Sequence, residues 1–439
     1  MEKIIVVDFG GHASQVIARR IRESHVYSEI AAYDTEIEAL KANDVEGIVL
    51  GDCLETEDYP SLPSWVYELN KPILAVTYGA KLMKKEFGDK LPKNVTLGEF
   101  SEEGENKDLE NFLFNIVKAK KNWDGKSFAE GMIEQIRKQV GDKKVICALS
   151  GGVDSAVTAA LIAKAIGKNL HCYFINHGLL RKGEPEQVCA TFDNNPDLPL
   201  DFHYLDREQL FLDKLKGVTD PEQKRKIIGK TFIDVFAEAL TGNTEGAFLA
   251  QGTIYPDRIE SGMGKGKLIK SHHNVGGLPK DLPFLGLVEP LKDLFKDEVR
   301  EVGRYLGLPE EQVSRQPFPG PGIGVRCLGE LRKEKLDILR DADLIWREEI
   351  EKSGIKRPSQ YFAVLTNIKS VGIADGDRSY DYAIALRAVD TIDFCTAKVS
   401  DIPMSLIRKV AYRITHEVKG VNRVLFDATD KPTSTIEFE

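Results

Sequence analysis

Residues 145–167 read VICALSGGVDSAVTAALIAKAIG. A five-residue apolar run stops at Ser-Gly-Gly and gives way to an alanine-rich stretch with helical spacing, so the segment is a strand, a sharp loop and a helix. Two glycines let successive backbone N–H groups turn toward one point, and the helix N-terminus adds its partial positive charge there. Ser150, Gly151, Gly152, Val153, Asp154 and Ser155 are therefore candidates to cradle a phosphate or pyrophosphate. Asp154 cannot bind an anion itself, but a carboxylate beside a polyphosphate makes sense as a ligand for a bridging Mg²⁺. No Gly-Lys-Ser/Thr follows, so this is not a Walker loop.

Strand and helix signals alternate on both sides of this segment. Before it, IIVVDFG, EGIVLG and PILAV read as buried parallel strands, with ASQVIARRIRES as an amphipathic helix. The acidic stretch SEEGENKDLE reads as a linker, followed by a helix signal at NFLFNIVKAKK and a second helix, SFAEGMIEQIRKQV, capped by its serine. After it come HCYFI and DFHYL, a long helix around EQKRKIIGKTFIDVFAEAL, and the strand AFLAQG. The run ESGMGKGKLIKSHHNVGGLPKDL reads as a lid-like loop, and FPGPGIG at 318–324 as a boundary. The expected class is α/β, with divisions at 1–122, 123–316 and 317–439: two parallel-sheet regions, the second doubly wound, then a small α+β domain.

At 439 residues with 42% hydrophobic and 29% charged residues, the composition is globular. The net charge of −9 argues against a general nucleic-acid binder. No apolar stretch is long enough to span a bilayer and no leader precedes the first strand, so no membrane and a cytoplasmic location are expected. The six cysteines are scattered without a CxxC pair, as expected for reduced thiols. His272 and His273 are adjacent in a loop, with no further Cys or His near in sequence, which disfavours zinc.

The hexapeptide SGGVDS in this context resembles the signature of the ATP pyrophosphatases, which split ATP to AMP and pyrophosphate while adenylating an oxygen. Six further ordered motifs resemble GMP synthetases: FINHGLLRKGE, LAQGTIYPDRIES, KSHHNVGGLP, LVEPLKDLFKDEVR, SRQPFPGPGIGVR and DYAIALRAVDTIDF, closed by KPTSTIEFE at 431–439. The resemblance covers Trp123 to Glu439. It implies a ligase that converts xanthosine monophosphate (XMP), ATP and ammonia to GMP, AMP and pyrophosphate, with Mg²⁺, and a homodimer formed through the C-terminal domain. It further implies Mg²⁺ on Asp154 and Glu289, Lys270 neutralising the departing pyrophosphate, and XMP held by Arg315, Arg326, Gln360, Lys431, Ile436 and Glu437. Asn176 stands where the family has Asp, and the tail reads KPTSTIEFE rather than KPPATIEWE. Rival readings are an ammonia-dependent NAD synthetase, a tRNA-modifying enzyme, or a non-catalytic nucleotide sensor.

The N-terminal DFGGHASQVIARRIRES looks like the opening of a class I glutamine amidotransferase, and KPILAVTYGAKLM at 71–83 like its nucleophile elbow. Thr77 occupies the position of the nucleophilic Cys, and no histidine lies between His25 and His171, where a general base is needed. FSEEGE at 100–105 is the nearest counterpart of the missing His motif. A dyad of Cys53 with His12 or His25 is a poor substitute. The region is also far shorter than that family's amidotransferase half. The reading is a truncated, degenerate amidotransferase region without glutaminase activity, with ammonia arriving from solution or from a separate glutaminase subunit.

Overall fold

The structure, a computed structural model, describes residues 2–10, 13–35, 44–52, 61–63, 65–68, 70–102, 104–241, 244–260, 284–374, 376–391 and 396–439. His12, Cys53, Lys270, His272, His273 and Cys395 lie outside the described residues. By backbone packing the chain divides into two compact units, one of Met1–Gln135, Gly252–Asn274 and Pro290–Leu306, the other of Ile136–Gln251, Val275–Glu289 and Gly307–Glu439. The expected α/β class holds, with parallel sheets and a C-terminal antiparallel one.

The first unit is built on a parallel sheet of β1 (Lys3–Asp8), β2 (Ser28–Ala32), β3 (Val45–Leu50), β4 (Ile73–Ala75) and β5 (Val95–Leu97), in the order β2-β1-β3-β4-β5. Continuous apolar runs suit it because alternate residues feed two different cores: Ile4, Val6, Val49 and Leu74 on one face, Ile5, Val7, Ile48 and Ile73 on the other. Strands β2 and β5 carry too few apolar residues to be read from sequence. The helix expected after the acidic stretch begins inside it, at Lys107, because Leu109 is buried in the core. Ser127 is not the cap of the next helix (Gly125–Val140); Asp124 Oδ1 accepts from its N–H at 2.7 Å.

Arg22, on the helix Ala13–Glu23, ties this unit together. Its guanidinium lies 5.0–5.2 Å from the ring centres of Tyr27, Trp123, Tyr255 and Phe295. It donates to Glu298 Oε2 at 2.7 Å, to the Asp293 carbonyl at 2.6 Å and to the Ser28 carbonyl at 2.6 Å. Glu298 in turn accepts from Trp123 Nε1 and from the Phe295 N–H, both at 2.7 Å. Segments from three parts of the chain are thus joined through one fully engaged cation.

The second unit holds two sheets. β6 (Lys144–Leu149), β7 (Leu170–Asn176), β8 (Asp201–Asp206), β9 (Ala247–Ala250) and β10 (Leu287–Val288) are parallel in the order β10-β9-β6-β7-β8. β11 (Gln360–Ala374) and β12 (Asp377–Asp390) form a long antiparallel pair, flanked by β13 (Lys398–Val399) and by β14 (Val421–Phe426), which runs parallel to β12. The helices Lys333–Ser353 and Met404–Glu417 contribute Leu336, Leu339, Trp346, Val410 and Ile414 to a core shared with Tyr361, Ile384 and Leu386. Residues 318–324 lie inside this unit: Gly322–Val325 is a buried single turn whose Ile323 N–H donates to the Leu179 carbonyl at 2.8 Å. A Cβ on Gly322 would sit 2.1 Å from that carbonyl oxygen, and φ is +64°, so both sterics and backbone require glycine.

Replacing Arg22 by Met strips Glu298 of its partner at a buried site, so the first unit should lose about 3–5 kcal/mol. Urea unfolding followed through the tryptophans checks this; a loss under about 1 kcal/mol, the scale of a surface pair, would refute it.

Candidate functional site

The glycine loop lies where β6 ends and the helix Val153–Ile166 begins. Gly151 has φ +79° and Gly152 is extended at the helix start, where no side chain caps the N-terminus. A helix start of this kind directs its partial positive charge toward an anion. The serines are occupied locally: Ser150 Oγ and Ser155 Oγ lie 3.0 Å apart, Ser155 Oγ donates to the Gly152 carbonyl at 3.0 Å, and the Ser150 N–H donates to Ser155 Oγ at 3.2 Å. Asp154 is in the first turn of the helix, and Glu289 directly follows β10. Because β6, β9 and β10 are parallel, both residues follow strand ends at the same edge of the sheet, on strands two spacings or about 10 Å apart. Carboxylate oxygens are the ligand type that a hard cation such as Mg²⁺ takes.

Arg315 closes the loop from the side. Its Nη1 donates at 2.6 Å to the Gly151 carbonyl and at 2.6 Å to Glu184 Oε1, and its Nη2 donates to Gln187 Oε1 at 2.8 Å. Glu184 also accepts from the Arg181 N–H at 2.9 Å. The guanidinium expected to grip XMP therefore braces the phosphate loop.

Arg326 is fully buried and paired with another of the expected residues, Glu437, through Nε at 3.0 Å and Nη2 at 2.7 Å. Its guanidinium lies 3.9 Å from the centre of the Phe362 ring. Ile436 packs in the same cluster as Phe362 and Val364, and Gln360 opens β11 nearby in sequence. Lys431 exchanges backbone hydrogen bonds with Ala397 at 2.8 and 3.0 Å.

Beside Arg326 are cations that the sequence reading missed. Asp343 lies between Arg347 at 2.8 Å and Arg181 at 3.6 Å. Burial works against its carboxylate, but Arg347, Arg181 and Arg326 outweigh it and hold the group below the usual range. Burial pulls Arg181 down to about 10, where it remains charged at neutral pH. Arg181 Nη2, Arg326 Nη1 and Arg347 Nη2 are buried with no hydrogen-bond partner among the described residues. Donors left in that condition invite an anion. The tail is anchored by further buried cations, Lys224 to Glu439 and Arg387 to Asp427 at 3.1 Å. Arg181, Lys224 and Arg387 have their carboxylate partners far away in sequence, and Asp343 with Arg347, four residues on, has the spacing of an ordinary helix-surface pair.

In the first unit the elbow keeps its geometry. Thr77 heads the helix Thr77–Phe87 at φ +47°, rare for a β-branched residue, and its Oγ1 is buried without a hydrogen-bond partner. Gly79 approaches so closely that a Cβ would lie 2.6 Å from the Leu50 carbonyl oxygen. Thr77, Lys81, Lys84, Glu99 and Phe100 line an open cleft of about 410 Å³. None of these can act as the strong base a hydroxyl nucleophile needs near neutral pH.

Three family models match the chain: glutamine amidotransferase class-I over residues 5–136, NAD synthase over 127–179, and GMP synthase C terminal domain over 348–438. Proteins named GMP synthase [glutamine-hydrolyzing] from Acetivibrio thermocellus and Ruminiclostridium cellulolyticum are each 45% identical to it over 510 aligned positions, covering 100% of this chain and 99% of theirs. One from Treponema denticola is 44% identical, covering 100% and 97%. The chain belongs to the GMP synthase family. Its ATP pyrophosphatase portion is the one that carries SGGVDS, inside the NAD synthase match. Alignment over 510 positions against 439 residues means that these GMP synthases carry stretches absent from this chain.

His177, just past β7, accepts the Leu179 N–H on Nδ1 at 3.1 Å and is buried against Phe211. Burial, and then the charge of Arg340, lower its pKa to about 4. Between about 6.5 and 4 the unfolded chain binds the proton that the folded one refuses. Stability should therefore be complete above about pH 6.5 and fall by roughly 3 kcal/mol as the pH drops to about 4. In His177→Gln this component of the decline, followed by urea unfolding across that range, should vanish; an unchanged slope would exclude His177 as its source.

Proposed function

We propose that this GMP synthase aminates XMP with ammonia at the expense of ATP. The xanthine C2 oxygen attacks the α-phosphorus of ATP, the bond to the bridging oxygen breaks, and pyrophosphate leaves with the electron pair. Ammonia then adds at C2 of the adenylyl-XMP, AMP departs, and loss of a proton gives GMP. The observation that carries this reading is the helix N-terminus behind Gly151 and Gly152, where Gly152 at the N-cap supplies no side-chain cap, a bend and partial positive charge suited to the leaving pyrophosphate.

Arg315 keeps the cup in shape, and Ser150 and Ser155 fix its rim. Asp154 and Glu289 would hold Mg²⁺, which supplies charge neutralisation between the phosphates. Lys270 is assigned by resemblance to the same neutralisation. The unpartnered donors of Arg326, Arg181 and Arg347 favour an anionic substrate, with Gln360, Lys431, Ile436 and Glu437 completing the XMP site. A homodimer in the cytoplasm, with domains at 1–122, 123–316 and 317–439, completes the proposal.

Ammonia replaces glutamine because the elbow presents Thr77, and no histidine lies between His25 and His171. The relatives are named for glutamine hydrolysis; this chain differs from an amidotransferase at the nucleophile itself. Nitrogen comes from solution or from a separate glutaminase.

With XMP and MgATP, ammonium chloride should support GMP and pyrophosphate formation, and glutamine alone should not. Asp154→Ala should cut both products about a hundredfold or more; undiminished rates would sink the assignment. Thr77→Cys should release no glutamate from glutamine, because the base is missing as well as the thiol. Glutamate release by that variant would mean that a base is present after all.

A further inference from the structure

Away from the phosphate loop, β7 and β8 bring three ligand-type side chains together. In their parallel register His171 faces Asp201 and Tyr173 faces His203, so His171, Asp201 and His203 lie on one face of the sheet. His171 Nδ1 is 2.8 Å and His203 Nε2 3.1 Å from the same Asp201 Oδ2. All three ligand atoms lie within 4.8 Å of one another. The imidazole planes are 7° from parallel, and His203 is stacked on Tyr173 at 4.5 Å, which fixes its ring.

A carboxylate oxygen approached by two imidazole nitrogens is more than a surface ion pair. Ligands around a tetrahedral ion with bonds of about 2.0–2.1 Å are themselves separated by about 3.3 Å, so a small outward rotation of each side chain makes room for an ion. The side chains are 19%, 46% and 35% exposed for His171, Asp201 and His203, leaving access and positions for water. His203 Nε2 is shielded from solvent and has no hydrogen-bond partner with good geometry. Lys144, the opposing cation near His171, is exposed and free to extend into solvent.

We propose that His171, Asp201 and His203 form a binding site for a borderline divalent transition metal of the Zn²⁺ class, which clamps edge strand β8 to β7. Two nitrogens and one carboxylate select Zn²⁺, Ni²⁺, Co²⁺ or Cu²⁺ over Mg²⁺, which demands oxygen. His171 and Asp201 lie at the start of their strands, whereas the phosphate loop follows the far end of β6. At about 3.3 Å per residue the two sites are on the order of 15 Å apart, so this metal is distinct from the one at Asp154. Binding would stabilise the fold by mass action rather than take part in the reaction.

The full chain, stripped with a chelator, should bind Zn²⁺ in calorimetry with a dissociation constant below about 100 μM. His171→Gln and His203→Gln should each weaken binding about tenfold or more and abolish zinc-dependent thermal stabilisation, with Mg²⁺-supported GMP formation unchanged. Cu²⁺ bound to the wild-type chain should show electron paramagnetic resonance couplings to imidazole nitrogens, a readout that does not depend on the variants folding. Unchanged zinc affinity in both variants, no binding by the wild type, or a copper signal without nitrogen coupling would overturn the proposal.

Discussion

The nucleotide end of the second unit depends on one residue whose backbone sits in the left-handed region. With φ at +79°, Gly151 lets the chain leave β6 and enter the next helix without a side chain filling the bend. Its carbonyl is held by Arg315, and Arg315 is held by Glu184 and Gln187, so the shape of the loop is fixed from outside the loop. A helix start capped by its own serine would satisfy the same backbone groups internally and leave nothing for a ligand. Here the serines bond to each other, to the Gly152 carbonyl and to the N–H groups of Ser150 and Gly152, ahead of the first helical residue.

Much of this was readable from residue order. The runs VICAL, HCYFI and DFHYL become β6, β7 and β8, and the glycine pair marks the bend, because each rests on local pattern alone. Strands β2 and β5 were not readable: SEIAA and VTL are too short and too mixed to stand out, and are defined by their pairing with β1 and β4. The end of FPGPGIG, punctuation by composition, is buried packing by structure at Gly322, Ile323 and Gly324, since Leu179 comes from well over a hundred residues away. The same distance hid the buried cations. Arg326 and Glu437 stand in motifs and were candidates, but nothing in the sequence said that they bind each other, or that Arg181, Asp343 and Arg347 gather beside them.

The elbow at Thr77 retains an unusual backbone without the chemistry such a backbone normally serves. Packing accounts for its persistence. The Gly79 N–H donates to the Gly51 carbonyl at 2.9 Å, and the Val76 N–H to the Leu50 carbonyl at 3.1 Å, so the turn is stitched to β3 and its end. Relaxing φ at Thr77 would break that seam, and the surrounding sheet over-determines the local conformation.

The crowded guanidiniums around Asp343 have one further implication. Three like charges crowd around Asp343, with Glu437 answering Arg326 alone, and each keeps an N–H without an acceptor. A neutral molecule of suitable shape would leave their repulsion in place, whereas an anion would discharge it on entry. If the cluster receives the substrate as proposed, it would act as a filter for ionic form, favouring a nucleotide over its uncharged nucleoside before any base is recognised.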